Sequence, residues 1–294
     1  MYYRRKILLS LLQVFDNRLE RVQLQKLLFL FSQLQKSPDY EFVPYKFGCF
    51  SFQANADLFT LAKYGLVSKQ EESWKKVTNE DFTTTLKKRD NEILNAVRLL
   101  YESSSTDELI SITYKKYPYY AINSVIASKI LNSIELAAVQ GQTPKNDEYC
   151  LYTIGYEGIS LEGYLNKLIQ LDIKVLCDVR KNSFSMKFGF SKAQLKNACE
   201  GVSILFYHLP EVGIESDQRK ELNNQSDYDI LFENYKRTIV PKTTDTQQFI
   251  INLLTKYQRV ALTCFEAQSC QCHRSHLAEA ISQLPEFHFS LKHI

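Results

Sequence analysis

At 294 residues the chain is longer than the usual single domain, which favours two. An apolar fraction of 45% with 13% aromatics excludes a disordered chain, and a net charge of only +3 excludes an argument for nucleic acid from overall charge. No apolar run of about 18 residues occurs, so no membrane span is expected.

The opening MYYRRKILLSLLQVFDNR has charge on both sides of a short apolar stretch and no small-residue cleavage site, so secretion is not expected either. Seven cysteines, an odd number scattered along the chain, are unlike a small secreted disulfide framework and predict reduced thiols in the cytoplasm. Residues 1–70 hold ten Lys and Arg against five acids, which places a basic surplus at this end. Apolar residues at three- and four-residue spacing predict helices over Arg4 to Phe15, Leu19 to Gln35 and Gln53 to Lys63, the last ending at Gly65 where a C-cap is needed. LVSKQEESWKKVT then reads as a small hairpin about a polar turn, with two or three more helices between Glu80 and Val139. Three helices followed by a hairpin is the order of a winged helix-turn-helix, so residues 1–140 are expected to form a mainly helical, winged-helix-like domain.

GQTPKNDE, residues 141–148, has no periodicity and is the expected linker. Over residues 149–294 the pattern changes to apolar runs alternating with amphipathic helices: CLYTIGY, LEGYLNKLIQL, IKVLCDV, SKAQLKNACE, SILFYHL, two helices at about Asp227 to Val240 and Asp245 to Tyr257, RVALTCF, SHLAEAISQL and a final extended FHFSLKHI. This predicts an α/β domain, a Rossmann-like three-layer sandwich around a mostly parallel sheet.

In open parallel sheets ligands bind outside the carboxyl ends of the strands. Those ends carry Gly155, Tyr156 and Gly158 after the first strand, Asp178 and Arg180 after the second, His208 to Pro210 after the third, and Cys264 and Glu266 after the fourth. Period-two alternation makes Asp178 with Arg180, and Cys264 with Glu266, two presented pairs; taken singly, each fits a structural ion pair or a turn cap, but the four exits together point to a site. Cys272, His273 and Arg274 stand at the start of the last helix, whose dipole favours anions and thiolates. Three readings of the cysteines stay open. Cys264 or Cys272 is a nucleophilic thiolate with His273 or Glu266 as base; or Cys264, Cys270 and Cys272 with His273 or His276 bind zinc; or the cysteines are small buried hydrophobes. No paired C-x-x-C knuckle favours zinc, and no P-loop or dinucleotide fingerprint is present, so no other cofactor is expected. After Arg180, KNSFSMKFGFSKAQL interleaves Lys181, Lys187 and Lys192 with Phe184, Phe188 and Phe190, a composition suited either to a splayed nucleic acid or to an ordinary loop packed on the sheet.

T-I-G-Y-E-G, C-D-V-R-x-x-S-F, Y-H-L-P-x-V-G and L-T-C-F-E followed by C-H-R, in this order over about Tyr152 to Ile281, resemble the bacterial and archaeal domain-of-unknown-function family 488. The resemblance carries that family's motif positions to Gly155, Tyr156, Gly158, Asp178, Arg180, Ser185, Pro210, Gly213, Cys264, Glu266, Cys272, His273 and Arg274. Ser183 stands where the family usually has Pro, and Val212 where it has Leu. LQKLLFLFSQ and FVPYKFGCFSFQANADLFTLAKYGLV more loosely resemble winged-helix-like modules fused to such domains in mobile-element and defence proteins.

The resulting expectation is an enzyme acting on a nucleic acid or a nucleotide, in defence or nucleic-acid modification. Asp178, Cys264, Glu266, Cys272 and His273 would supply the chemistry, while Gly155, Tyr156, Gly158, Arg180, Ser185 and Arg274 bind substrate. The alternatives are a non-catalytic sensor or binding module, for a modified base or small anion, coupled to a DNA-binding winged helix, or a structural partner in a larger complex.

Overall fold

A computed structural model describes residues 1–219, 222 and 224–294. The chain divides into two compact units, Met1–Thr143 and Pro144–Ile294, so the boundary falls inside the aperiodic GQTPKNDE stretch.

In the first unit the order is α1 (Tyr3–Val14), β1 (Arg18–Glu20), α2 (Arg21–Ser32), β2 (Val43–Tyr45), β3 (Gly48–Phe50), α3 (Phe52–Lys63), β4 (Val67–Lys69), β5 (Ser73–Lys76), α4 (Lys88–Tyr101), α5 (Thr106–Lys116), α6 (Ala127–Ile130) and α7 (Ser133–Gly141). The helix starts carry their caps in the sequence. Glu20 and Gln23, Ser105 and Glu108, and Asn132 and Glu135 form reciprocal capping boxes, and Ser51 Oγ accepts from the Ala54 N–H at 3.2 Å. Gly65 takes φ +70° just past α3, as its position predicts. The three helices α1 to α3 bury Leu8, Leu12, Leu27, Phe31, Leu58 and Leu61 in one apolar core together with Trp74 of β5.

Two features differ from the sequence expectation. The second helix begins at Arg21 rather than Leu19, because Arg18–Glu20 pairs antiparallel with β5 and makes a three-stranded sheet of order β1-β5-β4. A second hairpin, β2 with β3, turns at Lys46 and Phe47, just before Gly48, whose φ is +90°. Part of the basic surplus is tied up within the fold, while Arg18, Lys36, Lys46, Lys63 and Lys69 are exposed. Arg4 and Arg5 both donate to buried Asp57 at 2.5 and 2.6 Å, Lys26 is buried against the carbonyls of Phe47 and Cys49, and Arg21 donates to the carbonyls of Gln70 and Glu71. Those cations satisfy acceptors of their own fold instead of forming one exposed patch.

The second unit runs β6 (Cys150–Gly155), α8 (Leu161–Gln170), β7 (Val175–Asp178), α9 (Lys192–Gly201), β8 (Leu205–His208), α10 (Gln225–Thr238), α11 (Thr244–Tyr257), β9 (Arg259–Cys264), α12 (His273–Ser282) and β10 (Ser290–His293). All five strands are parallel, in the order β10-β6-β9-β7-β8. Strand alternation sorts the side chains onto two faces. Leu151, Val175, Cys177, Val260, Leu262 and Cys264 share a core with α10, α11 and α12. Residues of the opposite parity face α8 and α9, as the 2.7 Å bond from Tyr164 Oη of α8 to Thr263 Oγ1 records. Helices on both faces of a parallel sheet give the expected α/β architecture.

Candidate functional site at the carboxyl edge of the parallel sheet

β6, β7 and β9 end side by side, with Gly155 opposite Cys264 and Asp178 opposite Thr263. Laterally paired residues of a parallel sheet point to the same face, so Asp178 shares the face of Thr263 and Cys264, one residue on, takes the other. The expected single constellation therefore resolves into two groups that meet over the strand ends.

On the α8–α9 face, Asp178 is wholly buried and grips Arg180 in a bidentate pair, Nε to Oδ1 at 2.7 Å and an Nη to Oδ2 at 2.6 Å. The backbone N–H of Arg180 donates to the same carboxylate at 3.2 Å. Burial alone would lower the Arg180 pKa, but the bonds and charge of Asp178 outweigh it and hold the guanidinium firmly protonated. Its other Nη donates to Tyr156 Oη at 2.6 Å, and the Tyr156 ring stacks on Phe190 with centroids 4.2 Å apart. Burial raises the Tyr156 pKa. With both oxygens engaged, Asp178 positions Arg180.

On the α12 face, the Cys264 thiol is 3.3 Å from Glu266 Oε2 and 3.8 Å from His273 Nδ1, and Cys272 Sγ is 3.9 Å from the same nitrogen. His273 Nε2 lies 2.9 Å from the carbonyl of Val179, so Nε2 carries the proton and donates, leaving Nδ1 as an acceptor facing two sulfurs. Burial pushes the Cys272 thiol well above its ordinary range, and Cys264 beside it adds to the shift.

The remaining sequence-predicted residues mainly shape loops. Arg274 is buried and donates to the carbonyls of Glu266 and Ala267 at 2.5 and 3.1 Å, so it latches the loop after β9. Gly155 lies against that loop, and Gly213 against the backbone of Lys181, where a Cβ would stand 2.2 Å from the Lys181 nitrogen. Gly158 sits in the turn after β6 with φ +73°, and Pro210 opens a short 3-10 turn after β8. Ser185 accepts from the Lys187 N–H at 3.2 Å and bonds the Tyr156 side chain. Cys270 is exposed and bonds Gln268, and His276 packs on Phe232 and lies 3.5 Å from Glu279; neither belongs with the buried thiols, which corrects the wider zinc set read from the sequence.

Between the two groups opens a cleft of about 450 Å³ lined by Tyr156, Arg180, Lys181, Phe184, Cys264 and Phe265, among others. Phe265 escaped the sequence reading. The available signal was an apolar residue between two polar ones at a strand exit, which period-two alternation turns to the face opposite Cys264, and it is 42% exposed. Met186, also on the cleft, is 94% exposed.

Residues 160–281 match the family model described as domain of unknown function DUF488. The DUF488 segment thus holds the second, third and last of the motifs that carry the resemblance, and its match begins after Gly155 to Gly158. It contains Asp178, Arg180, Cys264, Glu266, Cys272, His273 and Arg274. No curated protein and no solved structure matches the chain.

Proposed function

We propose that this chain is an enzyme acting on a nucleic acid or a nucleotide, with its reactive centre at Cys264, Glu266 and His273. The observation that carries the reading is the cleft, which brings the Cys264 thiol, the Arg180 guanidinium and the rings of Phe184 and Phe265 to one space. Flat aromatic faces bind splayed bases, and a guanidinium fixed by its own carboxylate is a ready phosphate donor. Both terminal nitrogens of Arg180 carry a second N–H beyond the bonds to Asp178 and Tyr156. Lys181 on the same wall is paired with Glu215 at 3.1 Å.

The first unit supports a winged-helix reading. Its α1, β1, α2, α3, β4, β5 order, apart from the inserted β2–β3 hairpin, and its three-stranded antiparallel sheet are those of such a module, and Lys63, Lys69 and Lys75 are exposed there. Glu71 and Glu72 at the β4–β5 turn, and the capture of Arg4 and Arg5 by Asp57, argue against a strong phosphate-binding patch. Affinity for nucleic acid is therefore assigned chiefly to the cleft of Arg180, Phe184 and Phe265.

The test is to incubate the protein with nucleoside mono- and triphosphates, single-stranded DNA and single-stranded RNA, and to resolve products by mass spectrometry, alongside binding measured across salt concentrations. One substrate class converted by wild type, with Cys264→Ser inactive and Phe265→Ala weakened in binding, is the expected result. Binding without conversion replaces the enzyme by a sensor, and neither binding nor conversion overturns the reading.

A further inference from the structure

From the geometry we infer that Cys264, Cys272 and His273 are three ligands of a zinc ion whose fourth position lies beside Glu266. This deepens the proposed function, on which its catalytic sense rests, by assigning the attacking atom at that centre to water instead of sulfur.

Among the described residues this trio is the group of potential metal ligands whose donor atoms converge: both Sγ atoms and the imidazole nitrogen lie within 4.8 Å of one another, and all three residues are buried. A tetrahedral zinc with Zn–S of about 2.3 Å and Zn–N of about 2.0–2.1 Å places sulfur and nitrogen roughly 3.6 Å apart. The observed separations from Nδ1 are 3.8 Å to Cys264 Sγ and 3.9 Å to Cys272 Sγ, a contraction of a few tenths of an ångström away. The imidazole is already set as a metal ligand requires. Its Nε2–H is spent on the Val179 carbonyl at 2.9 Å, which fixes the ring and aims the lone pair of Nδ1 at the two sulfurs.

The chemistry of the donor set selects the ion. Two thiolates and an imidazole suit zinc, whereas calcium and magnesium demand oxygen ligands. Three protein ligands are also the number of a catalytic zinc site, where water takes the remaining position; structural sites use four. Glu266 stands outside the group of three but within 3.3 Å of Cys264 Sγ, where it is a proton acceptor for that water. Cys264 is the member of the trio that lines the cleft, so the centre meets substrate on that side.

The experiment measures metal in the full chain purified without chelator, then refills chelator-treated protein with cobalt. Expected are about one zinc per chain in wild type and in Cys270→Ser, a loss of about tenfold or more in Cys264→Ser and Cys272→Ser, and the ligand-field and thiolate charge-transfer bands of a tetrahedral cobalt centre. Glu266→Gln should keep the metal, because Glu266 is no ligand. Wild-type protein that purifies without zinc, takes up no cobalt on titration and shows no tetrahedral bands overturns the site whether or not the variants fold; a different transition metal in equal amount overturns the choice of zinc. Zinc at full occupancy with no turnover of any nucleotide or nucleic acid keeps this site and sinks the proposed function, whereas turnover by metal-free protein does the reverse.

Discussion

Gly155 faces the carbonyl of Glu266 so closely that a Cβ built on it would stand 1.9 Å from the carbonyl oxygen. The exit of β6 and the loop that presents Glu266 are therefore fitted to each other by the lack of a side chain. Gly155→Ala forces the loop outward at a cost of about 1–3 kcal/mol, the usual range for overpacking. Urea denaturation should show the lowered midpoint, and an unchanged one would mean that the loop yields freely.

Asp178→Asn leaves the Arg180 guanidinium buried without its counter-charge. The expected loss is about 3–5 kcal/mol, while the double replacement Asp178→Leu with Arg180→Met should recover much of it, since breaking a buried pair costs more than removing it whole. A double variant as unstable as the single one would show that the pair itself stabilises the fold.

Arg274→Met keeps most of the side-chain volume but removes the donors to the Glu266 and Ala267 carbonyls. Charged hydrogen bonds of this kind contribute roughly 1.5–3 kcal/mol, so a loss of that size is expected, with faster amide exchange in the loop after β9. Loss of phosphate binding with unaltered stability would instead return Arg274 to the ligand-binding role read from the sequence.

Tyr3, Tyr114 and Tyr120 in the first unit are held up to about 12 from an ordinary 10.0, in each case chiefly by burial. A raised folded-state value means that the unfolded chain loses its phenolic protons first. Their contribution is complete below pH 10.0 and drains away as pH climbs through about 12. Denaturation profiles of the first unit should lose stability across that window, and Tyr114→Phe should flatten the slope.

The second unit is legible in the sequence because its strands are short apolar runs alternating with amphipathic helices, a pattern with one common solution. The edge that carries the site follows from the same pattern. What one chain cannot reveal is lateral register. Asp178 lies opposite Thr263 and not Cys264, and that single-residue offset puts the carboxylate and the thiol on opposite faces. β1 is unreadable for another reason: a three-residue strand gains its identity from the partner it pairs with, while Leu19 also fits the helical spacing that follows. In the first unit a sequence tally also cannot tell an exposed cation such as Lys63 from Arg4 and Arg5, which are bonded to buried Asp57.

Six of the seven cysteines are shielded, and Cys270 alone is open to solvent. A maleimide dye added to the folded protein will therefore attach at a single point, two residues from Cys272. Fluorescence from that point offers a test of the proposed ion uptake in otherwise unaltered wild-type protein.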